Sequence, residues 1–570
     1  MNIVEHALTA SAQLTTPGSP FELKRVNRGA DSLLVYRHAP NNLAEIVALA
    51  RRDDDAPFLI YQDERWSYQR FYQEMDALAL WFHQQGIGQG SRVALALRNR
   101  PEWAIAFAAL AKIGAVPAPL NSFGQGGELR SALDDLMPEL LICDKDRWLR
   151  LESVTSVSQC PTLVVDDNYR ELSGVSHYAD AISIDNSAQS KDSVITLPLL
   201  DIKADDPALI LFTSGATSKA KAVVSTHQAV CQGLFNIDYI GAVSAMTSPE
   251  TVKHIMDQCR ESVILTAVPL FHVSGLHAQF LSALRMGKTL VFMHRWDPKD
   301  AVAMMNKYQV TQFNGAPSMV MQLLREPDFF KPELLEGIFG LGFGGAGLPQ
   351  SLVNTVLAKL PKQMIGIGFG MTESNGVGAA ASGDVFRYNP LSSGLISPIM
   401  QVKICDPLGD TMPLGETGEI CMKGVSLMQG YLNDPAATTE SMRDGWLLTG
   451  DLGYINQDGF LMIVDRLKDV INRAGENIAA AEIESCLMLN TSVKEAAVFG
   501  VPDESTGEAI IAVVTVTPWE GVNEQSLKQH VGRLLASYKV PVKIHIIEQK
   551  LPRNPAGKLL RNQLKQDFAN

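Results

Sequence analysis

The N-terminal half of the chain alternates between segments of helical period and short apolar runs, and this alternation constrains the fold more than any other feature. Residues 69–86 place apolar side chains at helical spacing and end at a glycine, whereas residues 91–97 read as a buried strand. A second helical pattern opens at Pro101, and the apolar runs "PELLICD" and "PTLVVDD" each end in aspartate. This rhythm is typical of an α/β protein with covered, mainly parallel sheets.

The pattern of apolar and turn residues changes after about Pro390. The stretch "QVKICDPLGDTMPLGETGEICMKG" alternates in polarity and is rich in turn residues, which predicts a small antiparallel or barrel-like section. A chain of 570 residues favours more than one domain, and the segment from Leu467 has the length of a small α/β domain. We expect a large N-terminal domain of covered mixed sheets at residues 1–466 and a small C-terminal α/β domain at residues 467–570.

Composition argues against several classes of protein. A net charge of −13 disfavours a nucleic-acid binder with a general basic surface, so an anionic ligand would need local positive charge. The seven cysteines form no CxxC and no Cys/His cluster, which favours reduced thiols in the cytoplasm and no zinc site. The N-terminus does not read as a signal peptide, and the most apolar long stretch, residues 104–120, falls short of the roughly 20 residues of a membrane span.

The stretch "FTSGATSKAKAV" at residues 212–223 crowds small residues, hydroxyls and lysines behind the apolar run "ALILF". Small residues let backbone N–H groups approach oxyanions closely, and a lysine compensates the charge of the anion. The stretch is not a Walker loop, because GxxxxGK[ST] is absent. The residues alone leave two interpretations open, a phosphate-binding loop and a polar surface turn.

Four further places carry chemistry that is ambiguous when each is taken alone. Thr372 and Glu373 follow a glycine-rich, strand-like stretch, where they would contact phosphate and Mg²⁺ or merely cap a helix. Asp451 is expected in a turn, either as an ordinary turn aspartate or as a carboxylate that accepts hydrogen bonds from two ribose hydroxyls. His272 follows a buried strand, where a histidine is either functional or an ordinary core residue. Lys558 lies near the C-terminus, where a lysine is usually solvated.

Taken in order, these stretches resemble the motifs of the adenylate-forming superfamily, which includes acyl-CoA synthetases, amino-acid adenylation domains and luciferases. Residues 212–222 align without a gap with that family's phosphate loop, [YF]-T-S-G-[ST]-T-G-x-P-K-G. Its further motifs are similar to "GGAGLP", "FGMTE", "TGD", "VDRLKDVINRAGENI" and "NPAGK". The resemblance covers nearly the whole chain and points to the acyl-CoA synthetase or fatty-acid–CoA ligase branch.

The phosphate loop departs from the family pattern at four positions. Ser218 and Ala222 stand where glycines are usual, Ala220 where proline is usual, and Ala216 where a hydroxyl is usual. Losing glycines narrows the allowed backbone, and losing proline loosens it. Because the remaining hydroxyls and Lys221 survive, we expect a modified loop that still works.

The resemblance implies two half-reactions at one site. A carboxylate attacks the α-phosphate of ATP·Mg²⁺ to give an acyl-adenylate and pyrophosphate, and the thiol of CoA then displaces AMP. Lys558 would bridge the carboxylate and the ATP oxygens in the first step and neutralise the charge that builds there. The C-terminal domain would then rotate about Lys468, so that the loop at Gly475 faces the pantetheine arm of CoA.

The resemblance also implies a role for each remaining site residue. The pyrophosphate end of ATP would be held by Thr213, Ser214, Gly215, Ala216, Thr217, Ser218 and Lys221. Mg²⁺ would be held by Glu373 and Thr217. Thr372 would contact the α-phosphate, Asp451 and Arg466 the ribose, and His272 the junction of acyl pocket and thiol tunnel. Adenine would stack on Phe369, near Gly345, Ala346, Gly370 and Ile463.

The stretch "PLFHVSG" indicates the kind of acid. Amino-acid adenylation domains usually hold the substrate ammonium with an aspartate there, and this chain has no carboxylate in the stretch. The sequence therefore favours an apolar acid, a fatty or related acyl acid, with CoA as acceptor. Loading of a carrier protein and a non-catalytic nucleotide-binding protein stay open as alternatives, and a homodimer is possible.

Overall fold

The structure is a computed structural model that describes residues 2–29, 31–152, 160–166, 174–183, 197–213, 220–344, 347–473, 476–517, 522–554 and 557–568. Its helices, with one π-helical segment at Leu276–Leu281, are Ile3–Thr15, Leu43–Leu49, Tyr68–Gln84, Pro101–Lys112, Gly126–Leu136, Lys145–Glu152, Tyr178–Ile182, His227–Thr247, Pro249–Asp257, Val273–Gly275, Ser282–Met286, Pro298–Lys307, Pro317–Leu323, Pro332–Leu335, Gln350–Lys359, Asp384–Tyr388, Pro435–Ser441, Ala480–Met488, Glu524–Leu534 and Arg561–Phe568. In the described part of the chain, none of these helices is long and apolar enough to cross a membrane.

The alternating pattern near the N-terminus folds into a parallel five-stranded sheet. Its strands, in spatial order, are Val116–Pro119, Arg92–Ala96, Leu140–Cys143, Thr162–Val164 and Ser176–His177. Helix Tyr68–Gln84 is capped by the Ser67 hydroxyl, which accepts from the backbone N–H of Arg70 at 3.1 Å, and it ends just before Gly86 at φ +80°. The predicted helices and strands of this region are confirmed.

A nine-stranded mixed sheet forms the second layer of the N-terminal part. Its strands, in spatial order, are Leu395–Ile396, Ala379–Ser382, Met364–Phe369, Gly340–Gly344, Gln312–Gly315, Val263–Thr266, Thr289–Phe292, Pro57–Tyr61 and Glu64–Ser67. The six inner strands run parallel, and the pairs at both ends are antiparallel. The carboxyl ends of the parallel strands therefore meet at one edge, where loops can build a site.

Two neighbouring strands of this sheet expose a face made of glycine, which we call the glycine face. It consists of Gly342, Gly344, Gly366 and Gly368, with Gly342 beside Gly366 and Gly344 beside Gly368. The alternate residues Leu341, Phe343, Ile365 and Ile367 are buried in the apolar core on the other face. A Cβ built on Gly344 would meet no atom of the described residues within 4 Å, and one built on Gly368 only the carbonyl oxygen of Ala379 at 3.9 Å, so these two positions leave room above the sheet.

Antiparallel sheets complete the N-terminal part of the chain. Strands Pro207–Phe212, Ala222–Thr226 and Gly430–Tyr431 form one antiparallel sheet. A second, after Pro390 as predicted, joins Met400–Cys405, Gly418–Gly424, Trp446–Ile455, Met442–Arg443 and Leu461–Arg466. Strands Leu23–Arg28 and Asp31–Tyr36 form a separate hairpin. The N-terminal part therefore has the mixed sheets that we expected, since its nine-stranded sheet and its first five-stranded sheet are mainly parallel and these sheets are antiparallel.

The C-terminal part has its own sheet and its own apolar clusters. Strands Glu476–Ile478, Ile471–Arg473, Gly507–Val516 and Val493–Asp503 pair antiparallel, and Lys543–Ile547 pairs parallel with Gly507–Val516. Helices Ala480–Met488 and Glu524–Leu534 contribute Ile483, Leu487 and Leu527 to one of its cores. This is the small α/β unit that we expected, and the boundary after Arg466 stays a prediction.

Candidate active site

The predicted phosphate loop connects two paired strands. Phe212 pairs with Ala222, the backbone N–H of Thr213 donates to the carbonyl of Lys221 at 2.9 Å, and the N–H of Lys221 donates to the Thr213 hydroxyl at 3.2 Å. These bonds close the base of the loop. Its residues Ser214, Gly215, Ala216, Thr217 and Ser218 lie outside the described residues.

Thr372 and Glu373 begin a short 3-10 turn just after the strand Met364–Phe369. The chain makes this turn through Gly370, where a built Cβ would lie 2.4 Å from the carbonyl oxygen of Gly376, so only glycine fits. Glu373 is buried, and its backbone carbonyl accepts from the N–H of Met428 at 2.7 Å. The turn is thus fixed in place with its carboxylate already desolvated.

Asp451 lies in a strand, and the expectation of a turn was wrong. It belongs to Trp446–Ile455 and pairs with Arg466 on Leu461–Arg466, where Arg466 Nε lies 3.4 Å from Asp451 Oδ1. The preceding Gly450 has φ +69°, which explains the turn-like sequence, yet the strand continues beyond it. Burial raises the pKa of Asp451, against the positive charges of Arg466, Lys558 and Lys468.

Lys558 is half-buried beside these groups instead of solvated at the end of the chain. Burial, and then repulsion by Arg466, lower the pKa of Lys558 from 10.5 to about 8, while Asp451 and Glu373 partly oppose the shift. The structure therefore brings the "NPAGK" lysine together with the carboxylates of the "FGMTE" and "TGD" motifs. These three positions are separated by up to 185 residues, from Glu373 to Lys558.

The neighbouring glycine holds the Lys558 loop against the N-terminal part. Gly557 has φ +81°, and a built Cβ would lie 2.9 Å from Ala316 Cβ. Its carbonyl accepts from Arg553 Nη1 at 2.8 Å and from the Ser318 hydroxyl at 3.4 Å. A larger residue at 557 would push the loop, and with it Lys558, away from the site.

His272 is half-buried at the start of the short helix Val273–Gly275, and five residues separate it from the end of the strand Val263–Thr266. Its Nε2 is shielded from solvent and has no hydrogen-bond partner in the described part of the chain. Burial, and then the charge of Lys558, lower the pKa of His272 to about 3, so the imidazole is neutral. His272 is therefore not a core histidine whose two ring nitrogens both have hydrogen-bond partners.

The other predicted residues are placed as follows. Phe369 is buried at the end of its strand, and the half-buried Ile463 packs against the same apolar cluster. Lys468 is exposed in the 3-10 turn Leu467–Asp469, where Asp469 pairs with Arg561 at 3.0 Å. Gly345, Ala346 and Gly475 lie outside the described residues.

Sequence reasoning missed Tyr431. Its hydroxyl donates to Glu373 Oε1 at 2.9 Å, and Lys221 Nζ lies over its ring, 4.8 Å from the centroid. The sequence around it, a tyrosine after a glycine in a turn-rich section, gives no sign of a carboxylate partner 58 residues away.

The donor set suits a magnesium ion that arrives with its nucleotide. In the described ranges no group of three or more His, Cys, Asp or Glu side chains could hold a metal ion by itself. Glu373 offers a single hard oxygen donor group, and Mg²⁺ commonly takes one or two carboxylates and completes its shell with water and phosphate oxygens. The residues present fit this mode.

Comparisons with known proteins found matches over most of the chain. The family model "AMP-binding enzyme" matches residues 47–432, and the model "AMP-binding enzyme C-terminal domain" matches residues 482–558. The 4-coumarate–CoA ligase-like 6 protein of Arabidopsis thaliana is 31% identical over 500 residues, 86% of this chain and 83% of that protein. The 4-coumarate–CoA ligase CCL1 of Humulus lupulus is 30% identical over 485 residues, 84% and 85% of the two chains.

Solved structures share the architecture over nearly the full length. The crystal structure of ATP-bound MatB from Rhodopseudomonas palustris superposes with a TM-score of 0.79 at 25% identity, over 93% of this chain and 99% of that chain. The o-succinylbenzoate–CoA synthetase MenE from Bacillus subtilis, solved with ATP and magnesium ion, gives a TM-score of 0.71 at 27% identity, over 91% and 98% of the chains.

Proposed function

Because this chain belongs to the family of AMP-binding enzymes, we propose that it is an acid–CoA ligase that forms an acyl-adenylate and then a thioester. The observation that carries the proposal is the position of Lys558, half-buried and within electrostatic reach of Asp451, Glu373 and His272. A cation placed there neutralises the negative charge that accumulates when a carboxylate attacks a phosphate. The names of the relatives, which are CoA ligases, support the same reaction.

In the first half-reaction the protein positions two anions and neutralises their charge. Lys558 contacts the substrate carboxylate and the α-phosphate, Thr372 donates to that phosphate, and Asp451 accepts from the ribose hydroxyls. Glu373 and Thr217 would hold Mg²⁺, which would neutralise part of the negative charge of the phosphates. Positioning and electrostatics account for most of the catalysis in phosphoryl-type transfers. Pyrophosphate leaves, and the acyl group stays as a mixed anhydride with AMP.

In the second half-reaction the thiolate of CoA attacks the acyl carbon, and AMP leaves with the bonding electrons. Lys558 would obstruct this approach, so we propose that the C-terminal domain turns about Lys468 between the steps. We propose that His272 lines the junction where the acyl group and the thiol meet. Its imidazole is neutral, so it adds no charge that would hold the thiolate in place.

The glycine face supports a neutral acyl tail. Gly344 and Gly368 leave room on the sheet just before the Thr372 turn, whereas the side chains of Asn314 and Ser382 lie against Gly342 and Gly366 and close the other end of this face. An ammonium group in such a place would need a buried counter-charge, and none of residues 269–275 is acidic. A reducing, cytoplasmic setting is consistent with seven cysteines that are all free.

The test is a panel of carboxylic acids with ATP and Mg²⁺, measured by pyrophosphate release, followed by AMP release on addition of CoA. We expect straight-chain or planar neutral acids to react and amino acids to stay silent. If AMP release requires a carrier protein instead of CoA, the acceptor of the acyl group is a carrier protein. No pyrophosphate with any acid would contradict the enzyme assignment.

A further inference from the structure

Tyr431 stands between the two oppositely charged side chains of the phosphate side of the site. It belongs to the strand Gly430–Tyr431, which pairs with the strand leaving the phosphate loop, with Tyr431 opposite Val223. The same side chain touches Lys221 through its ring face and Glu373 through its hydroxyl. A residue with these two contacts can fix the positions of the ammonium group of Lys221 and the carboxylate of Glu373 at the same time.

We propose that Tyr431 is a positioning residue: its hydroxyl orients Glu373 for Mg²⁺, and its ring holds Lys221 away from that carboxylate so that the ammonium stays available to phosphate. The inference rests on the proposed function, because that function assigns Glu373 to the metal and Lys221 to the nucleotide. It goes further by naming a residue that touches neither the reacting atoms nor the acid.

The two contacts are of different kinds, and each acts on one partner. A hydroxyl that donates at 2.9 Å to one oxygen of Glu373 fixes the rotation of the carboxylate and leaves the other oxygen for a metal. An ammonium 4.8 Å from a ring centroid is attracted by the ring's electron-rich face. Lys221 and Glu373, both described, form no ion pair with each other.

The backbone around Tyr431 is held independently of its side chain. The N–H of Tyr431 donates to the Thr438 hydroxyl at 2.9 Å, and the N–H of Leu432 donates to the carbonyl of Ala222 at 2.8 Å. A tyrosine hydroxyl carries its proton at neutral pH, so it donates to the carboxylate of Glu373. Changing only the side chain should therefore leave the strand in place.

The first test separates the hydroxyl from the ring. Tyr431→Phe keeps the ring under Lys221 and removes the donor to Glu373. We expect this variant to need about tenfold more Mg²⁺ for half-maximal binding of an uncleavable α,β-methylene ATP analogue, the effect of losing one hydrogen bond to a charged group. Its affinity for the analogue at saturating Mg²⁺ should change less than about twofold. Calorimetry without acid or CoA measures both quantities.

The matched control is Tyr388→Phe, which removes a surface tyrosine hydroxyl that donates to Asp458 at 3.2 Å. This control should bind Mg²⁺ and the analogue like the wild type. Thermal unfolding of both variants shows whether either substitution disturbs the fold. An equal change in Mg²⁺ requirement in the two variants would overturn the proposal.

The second test removes the ring. In Tyr431→Leu we expect Lys221 to pair with Glu373, so that the Mg²⁺ requirement rises further, to about a hundredfold above the wild type, and the nucleotide affinity falls as well. Adding Lys221→Met should then lower the Mg²⁺ requirement again, because Glu373 is freed. The single change Lys221→Met in the wild type should lower nucleotide affinity only.

Two results would overturn the proposal: a Tyr431→Phe enzyme with an unchanged Mg²⁺ requirement, or a Tyr431→Leu enzyme that binds Mg²⁺ still less well after Lys221→Met. If Tyr431→Leu does not fold, the Tyr431→Phe result decides. A wild-type protein that binds the analogue with Mg²⁺ but releases no pyrophosphate with any acid would refute the proposed function, and the binding measurements would still decide the role of Tyr431.

Discussion

The charge of Lys558 should set an upper pH limit on adenylation. Burial and the nearby Arg466 lower the pKa of this lysine from 10.5 to about 8. The proposed first step uses the protonated amine, so the active form is lost as pH rises through 8. An unperturbed lysine would keep its proton until much higher pH.

The size of the effect follows from the pKa. With a pKa of about 8, about nine-tenths of the free enzyme carries the charge at pH 7 and about one-tenth at pH 9. We expect kcat/KM for acid-dependent pyrophosphate release to be flat below pH 8 and to fall about tenfold for each pH unit above it. Bound ATP adds negative charge and raises the lysine pKa, so kcat itself should break at a higher pH.

The assay compares both half-reactions in three variants. Lys558→Ala should lower pyrophosphate release about 10²- to 10³-fold, the usual cost of one such contact, and spare thioester formation from a supplied acyl-adenylate. Lys558→Arg keeps a charge that does not titrate, so the break near pH 8 should disappear. Lys550→Ala removes an exposed lysine as the control. A break that survives in Lys558→Arg, or equal loss in both half-reactions, would refute the reasoning.

Four further outcomes are expected. Lys468→Pro, which fixes φ in the 3-10 turn, should slow CoA-dependent AMP release and leave pyrophosphate release intact; unchanged turnover would disprove the hinge. Gly344→Val places its side chain in open space on the glycine face, so it should raise the KM for the acid with little change in unfolding temperature, and an unaltered KM would separate this face from the acyl tail. Ser218→Gly with Ala220→Pro should lower the KM for ATP·Mg²⁺ a few-fold, since proline removes about 0.4–1 kcal/mol of loop entropy; the acid preference should not move. Burying the charged Lys558 destabilises the wild type below the folded pKa of about 8, and this destabilisation disappears as pH rises towards 10.5. Lys558→Met should therefore raise the unfolding free energy at pH 7 by up to about 3 kcal/mol and have little effect near pH 10.5; calorimetric or denaturant unfolding at the two pH values checks it.

The local sequence pattern was enough to predict the helices and turns that depend on interactions between residues close in the chain. Helix Tyr68–Gln84 was predictable because its apolar spacing, its Ser67 cap and the glycine after it all act within a few residues. The glycine-rich stretch before Thr372 likewise predicted a strand and a turn, which are Met364–Phe369 and the 3-10 turn Thr372–Ser374.

Pairing between distant segments was not predictable in the same way. Nothing near Phe212 indicates that its strand pairs antiparallel with the strand from Ala222, or that Tyr431 lies on the far side of that pair. Asp451 was misassigned to a turn because Gly450 resembles a turn glycine, whereas the pairing with Arg466 extends the strand past it. The chemistry of the site depends on these long-range contacts.

The contact between Gly557 and the N-terminal part bears on the proposal that Lys558 serves only the first half-reaction. Gly557 fits against Ala316 and Ser318 because it has no side chain, and this docking desolvates the neighbouring amine. If the C-terminal segment leaves, as the proposed second step requires, the amine returns to water and its pKa returns towards 10.5. The site then loses a cation at the same moment that the thiolate needs a free path to the acyl carbon. Above pH 8, docking and release therefore involve the loss and uptake of a proton, and the domain movement itself becomes pH-dependent.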